Sequence, residues 1–129
     1  LPADGLDDMG AFRRWLARLA ESDETRLDNE TRGWADSIEG SVRLGEVPLR
    51  RKVRIAGVIR RITVLPMSGH EALEALVSDG TGEAVVVFMG RRGIGGFSLG
   101  TKVVVEGVLG EQQGGGPPRM INPKLEFSS

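Results

Sequence analysis

The sequence predicts a mainly β fold: a five-stranded Greek-key barrel over residues 47–129, preceded by an acidic helical extension over residues 1–46. Three observations carry this reading. Residues 76–90, LVSDGTGEAVVVFMG, place two apolar runs on either side of a turn signal. Further short runs rich in Val and Ile lie before and after it, each next to a glycine break. Apolar residues before position 40 instead recur at spacings of three and four, the period of a helix.

In chain order, Met9, Phe12, Leu16 and Leu19 mark an amphipathic helix over residues 7–22, with Trp15 widening the stripe and Asp7 or Asp8 placed to cap it. A second helix is expected through about Ile38, capped by Ser22-Asp23, with Leu27, Trp34 and Ile38 on one side. Gly33 weakens it by roughly 1 kcal/mol relative to alanine. Residues 40–48 read as a connection whose Val42, Leu44 and Val47 tuck against the barrel. The run KVRIAGVIRRITVL from Lys52 is the long first strand, and its alternation fails after Gly57, so a glycine bulge is expected there. The loop PMSGHE leads into the central hairpin, where Asp79 hydrogen-bonds the backbone that follows it and Gly80 and Gly82 take positive φ. GRRGIGGFSLG is a short irregular or single-turn helical crossing. TKVVVEGVLG from Thr101 and RMINPKLEF from Arg119 supply the last two strands, joined by a flexible EQQGGGPP loop.

Composition narrows the chemistry. A chain of 129 residues fits one domain with a small closed core, and aromatic residues at 5% imply a core of Val, Ile and Leu. The absence of cysteine removes disulfides, thiol catalysis and thiolate metal sites together. The opening LPADGLDDMGAFRRW shows no secretory pattern, and no run approaches membrane-spanning length, so a cytoplasmic location is expected. The formal charge of −1 conceals a division, −5 over residues 1–46 and +4 over residues 47–129. An anionic partner belongs with the basic part.

Four pieces of the chain carry a family resemblance: VRIAGVI, SDGTGEAVVVFMG, LGTKVVVEGVLG and the closing MINPKLEF. Through them residues 52–127 resemble the OB-fold family that includes the anticodon-binding domains of aminoacyl-tRNA synthetases and the wedge domain of RecG-type helicases. The whole is similar to small stand-alone bacterial OB proteins that bind nucleic acid. The resemblance implies an OB barrel whose ligand face is formed by strands 2 and 3 with the loops between strands 1 and 2 and between strands 4 and 5. On that face Arg60, Arg61, His70, Arg91, Arg92, Arg119 and Lys124 are the candidate phosphate contacts. The chain departs from the family at Asn122, where an aromatic residue or histidine often precedes the closing proline.

Other motifs dissolve on inspection. GGFSLGTK lacks the glycine-lysine-hydroxyl order of a phosphate loop and leads into a strand. GRRG at residues 90–93 imitates a KH loop but ends a strand instead of joining helices. His70 stands beside Glu71 without the further ligands a metal site needs. No nucleophile or cofactor motif is present, so no enzyme activity, cofactor or metal is expected.

Strand alternation sends Ala84, Val86 and Phe88 inward and leaves Leu76, Val85, Val87 and Met89 on the outer face, too apolar to stand uncovered. The candidate covers are bases, a second copy, a partner protein, or the N-terminal helix through Phe12, Trp15, Leu16 and Leu19. If the helix covers it, the acidic extension competes with nucleic acid; alternatively, it caps a barrel end away from the ligand. The leading functional expectation is a non-catalytic module that binds single-stranded or branched nucleic acid, DNA or RNA, through backbone electrostatics. The alternative is a protein-interaction or oligomerisation barrel using that outer apolar face.

Overall fold

The computed structural model describes residues 2–67, 69–112 and 114–128, with the side chains of these except residues 2–9, 19–22 and 67. Among the described residues, helix α1 (Pro2–Ser37) is followed by a 3-10 turn (Leu44–Glu46) and six strands. These are β1 (Lys52–Met67), β2 (His70–Ser78), β3 (Glu83–Met89), β4 (Lys102–Gly110), β5 (Arg119–Ile121) and β6 (Lys124–Phe127).

Hydrogen bonding runs β1-β2-β3-β5-β4 and returns to β1, so five strands form a closed ring. All ring pairings are antiparallel except β3 with β5. The expected last strand, RMINPKLEF, is two segments. Asn122 takes φ 50°, and Pro123, which has no N–H to give, ends β5 there. β6 then pairs with the other part of β4.

Alternation places Ile55, Ile59, Leu73, Val77, Val86, Val103, Val105, Leu109 and Met120 inside, where each is buried. Each such side chain contributes about 1.5–3 kcal/mol by leaving water. Leu44 joins them from the connection, with Val47 partly buried beside it, whereas Val42 is exposed. The segment after β3 is irregular, and its Phe97 meets Phe88 edge-on at 5.7 Å between ring centroids.

Several expectations are corrected. One helix replaces two, since no proline or glycine interrupts the chain near residue 22 and the strong helix formers there continue the turn. The cap candidates Asp7, Asp8 and Ser22 and the stripe residues Met9 and Leu19 have side chains outside the described residues. The bulge in β1 lies at Arg60, between the pairs Ile59–Val77 and Arg61–Leu76. Gly57 is needed for another reason: a Cβ there would lie 2.5 Å from Val77 Cγ1 and 2.8 Å from the Ser78 carbonyl oxygen, where β1 passes from β4 to β2. In the hairpin only Gly80 has positive φ, 85°; Gly82 instead gives room to Leu44, whose Cβ would stand 3.2 Å from an added one.

Among the described residues, the helix meets the barrel through its C-terminal part. Ala35 packs with Ala56 and Val104 on the outside of β1 and β4, with Trp34 and Ile38 at the edge. Lys102 Nζ lies over the Trp34 ring at 5.2 Å. Phe12 and Trp15 stack on each other at 5.9 Å and remain exposed, as does Leu16. At 100° per residue their stripe is turned roughly a third of the circumference from the side that carries Thr31 and Ala35. Among the described residues, the helix therefore does not cover the outer face of β2 and β3. No helix among the described residues is long and apolar enough to cross a membrane.

Candidate functional site

The outer face of β2, β3 and β5, joined by the second half of β1, is the surface the helix leaves open. Directly paired residues share a face, so the registers assemble cross-strand rows. One row runs Arg61, Leu76, Val85, Arg119; the next runs Thr63, Glu74, Val87, Ile121. Leu65, Ala72 and Met89 form a third.

The bulge makes the first row possible. With one residue more on β1 than on β2, the two successive arginines both stay out of the core, where strict alternation would drive one of them inward. Arg60 reaches back to the helix and donates to Asp28 Oδ1 at 3.0 Å. Arg61 stays exposed at the head of the row, and it forms no ion pair among the described residues.

At the other end of the row, Arg119 donates from an Nη to Glu74 Oε2 at 3.1 Å. Glu74 lies on β2 and Arg119 on β5, so the pair spans the intervening β3 between Val85 and Val87. This answers what covers the apolar outer face. Val85 and Val87 are 4% and 2% exposed and cluster with Ala72 and Leu76 beneath the chain's own ion pair. Of the four residues expected to form an apolar interface, Leu76 is half-buried and Met89 alone is exposed. Ile121, on β5, is exposed beside them. Asn122 ties the edge of β3, accepting from the Met89 N–H at 2.8 Å and donating its own backbone N–H to the Val87 carbonyl at 2.7 Å.

The remaining candidates divide by position. His70, Arg91 and Arg92 gather where β1 turns into β2 and β3 ends, since Met67 pairs with His70 and Ala72 with Met89. Arg92 Nε meets Glu71 Oε2 at 2.7 Å in an exposed pair, while Arg91 forms none among the described residues. The fold thus brings Arg61, His70, Arg91, Arg92 and Arg119 to one face and its rim. It does not bring Arg60, which is held at the helix, or Lys124, which lies on β6 opposite Glu106 and 3.9 Å from Glu126.

Much of the positive charge of the barrel is therefore matched locally. Arg50, Lys52 and Arg54 also stand near carboxylates, those of Glu111, Glu106 and Glu126. The pairing of Glu74 with Arg119 was missed by sequence reasoning because the two are 45 residues apart and no local spacing couples them. Asn122 had a readable signal, an Asn-Pro step, which marks a turn.

Comparison with known proteins finds likeness in structure. No protein-family model matches the chain, and no curated protein sequence matches it. Among solved structures it is similar to RecG bound to a three-way DNA junction, with a TM-score of 0.58 and 18% identity over 68% of this chain. The match spans 12% of the RecG chain. It is also similar to a replication factor A related protein from Methanobacterium thermoautotrophicum, with a TM-score of 0.53 and 13% identity over 70% of this chain and 93% of the other. At such identities the likeness is one of fold.

Proposed function

We propose that this OB barrel is a non-catalytic module that binds single-stranded or branched nucleic acid through its phosphate backbone, on the outer face of β2, β3 and β5. The observation that carries the reading is the row Arg61, Leu76, Val85, Arg119, which sets a cation on either side of an apolar centre on the face left open by the helix. The two arginines are roughly 14 Å apart measured along the sheet, three strand spacings, about two nucleotide steps of an extended strand. His70, Arg91 and Arg92 extend the cationic border at one end. Support of a different kind comes from two structures of similar fold, RecG bound to a three-way DNA junction and a replication factor A related protein. With no tyrosine in the chain and its other rings on the helix, in the core or at β6, binding rests on charge and aliphatic contact with little base preference.

The test is fluorescence anisotropy with labelled single strands and a three-way junction at two salt concentrations. Binding that weakens with salt is expected, with a slope of log K against log salt of about −2 to −3 for three or four phosphates. No binding at low salt, or binding indifferent to salt, would reject the reading.

A protein-docking function has its own observation in the exposed Phe12–Trp15 stack and Leu16. Light scattering over a concentration series, with and without Leu16→Asp, decides whether that stripe holds a second chain.

A further inference from the structure

On the face over β2 and β3, Glu74 stands in the middle and Glu71 at the rim, each holding an arginine. The neighbouring sector, where β5 parts from β4, is more open. The β4–β5 ladder consists of the pairs Leu109–Met120 and Gly110–Arg119; beyond it Asn122 turns β5 away at φ 50°. A cleft of about 570 Å³ opens there. Val108 and Ile121 form its floor and are 57% and 58% exposed, in contrast to the covered Val85 and Val87. Lys52, paired with Val108 across β1 and β4, stands at one side, and Arg119 at the other.

We propose that this cleft is a nucleotide subsite, in which Val108 and Ile121 receive a base or sugar of a single strand while Lys52 and Arg119 hold the flanking phosphates. The inference rests on the nucleic-acid reading above and extends the strand's path from β2 and β3 across β5 to the edge of β4, with Arg119 common to both parts. Arg119 supplies the most specific argument. One Nη is held by Glu74, while the side chain stays a third exposed where it lines the cleft, and the other Nη makes no hydrogen bond among the described residues, so it is the group that can meet a phosphate. Lys52 Nζ is only loosely engaged, 3.6 Å from Glu106, and its side chain is mostly exposed. Glu111 lies on the rim, 3.9 Å from Arg50, and bars phosphate from that end. The floor is aliphatic, so the subsite takes any base, and its contribution comes from apolar contact with a base face.

The experiment uses the full chain and a fluorescein-labelled oligothymidylate of about twelve nucleotides, a length that spans an OB face. Lys52→Glu and Val108→Asp, both at exposed positions, should each weaken binding by about fivefold or more. In amide NMR spectra of the unmutated chain, Val108, Ile121 and Asn122 should shift on titration, and the spectrum of Val108→Asp reports whether its fold is intact. If the strand binds but neither variant weakens it, or the shifts stay within β2 and β3, the subsite is overturned and the nucleic-acid reading stands. If the unmutated chain binds no strand at low salt, both fall.

Discussion

Asp79 shows how one side chain sets a local structure and ties it to a distant one. Its Oδ1 accepts from the Thr81 and Gly82 N–H groups and the Thr81 hydroxyl, and its Oδ2 accepts from the Leu44 N–H at 2.8 Å. A buried carboxylate is tolerable there because four donors replace its water. Asp79→Ala should cost about 3 kcal/mol or more, since four donors, three of them backbone N–H groups, lose their acceptor; the urea midpoint measures it. A smaller electrostatic effect has a readable sign. The Arg54 guanidinium donates to Glu126 Oε2 at 2.9 Å and holds that carboxyl below its ordinary value near 4.5. A carboxyl with a depressed folded pKa stabilises the protein above its unfolded pKa, and the contribution is lost as pH falls through the folded value. The stability gap between the native chain and Arg54→Gln should therefore be present at pH 7 and close below about pH 4.5, and the Glu126 carboxyl resonance should titrate higher in the variant. A gap unchanged by acid would show that Arg54 acts by packing alone.

At the scale of the element, α1 serves two roles along its length. The part near Asp28, Thr31, Trp34 and Ala35 belongs to the barrel, through the Arg60 ion pair and the patch with Ala56 and Val104. Gly80 marks how close the contact is, because a Cβ there would fall 2.3 Å from the Asp28 carbonyl oxygen. The part around Phe12 and Trp15 is exposed. Deleting residues 1–22 should leave strand affinity within about twofold, since the helix lies over β1 and β4 and carries no residue of the proposed face. Tighter binding after the deletion would revive competition by the acidic extension. Extending the deletion through residue 46 should instead destabilise the barrel, because it removes Leu44 from the core and leaves Asp79 without one donor. A thermal melt of each truncation separates the two effects.

For the whole molecule, charge placement matters more than charge sum. The +4 of residues 47–129 is distributed so that Glu71 and Glu74 restrain Arg92 and Arg119 at the edges of the open face. Glu74→Gln removes the carboxylate nearest the centre and releases the Nη of Arg119 that it holds. It should tighten single-strand binding roughly three- to tenfold and steepen its salt dependence by adding about one phosphate contact. Weaker binding would mean that the ion pair orders Arg119 for the ligand, and anisotropy at two salt concentrations tells the outcomes apart.

The closed barrel was legible from local signals. Alternation assigned Ala84, Val86 and Phe88 to the core and Val85 and Val87 to the opposite face; Asp79-Gly80 declared the hairpin, and short Val-rich runs supplied the ring. Such features depend on neighbours within a few residues, whose backbone geometry each side chain governs directly. What covered the outer face, which arginines met there, and where the helix lay were decided by partners far apart in sequence. Arg60 and Arg61 are adjacent in the chain, yet a one-residue register shift sends the first to Asp28 and places the second beside Leu76. Glu74 and Arg119 come together only because β3 lies between β2 and β5, a neighbour relation that ring closure creates. The exposed stripe of Phe12 and Leu16 was readable as a helix face, but its orientation was fixed by the packing of Ala35 against Ala56 and Val104. Periodicity determines which residues share a face; only the closed structure determines what that face meets.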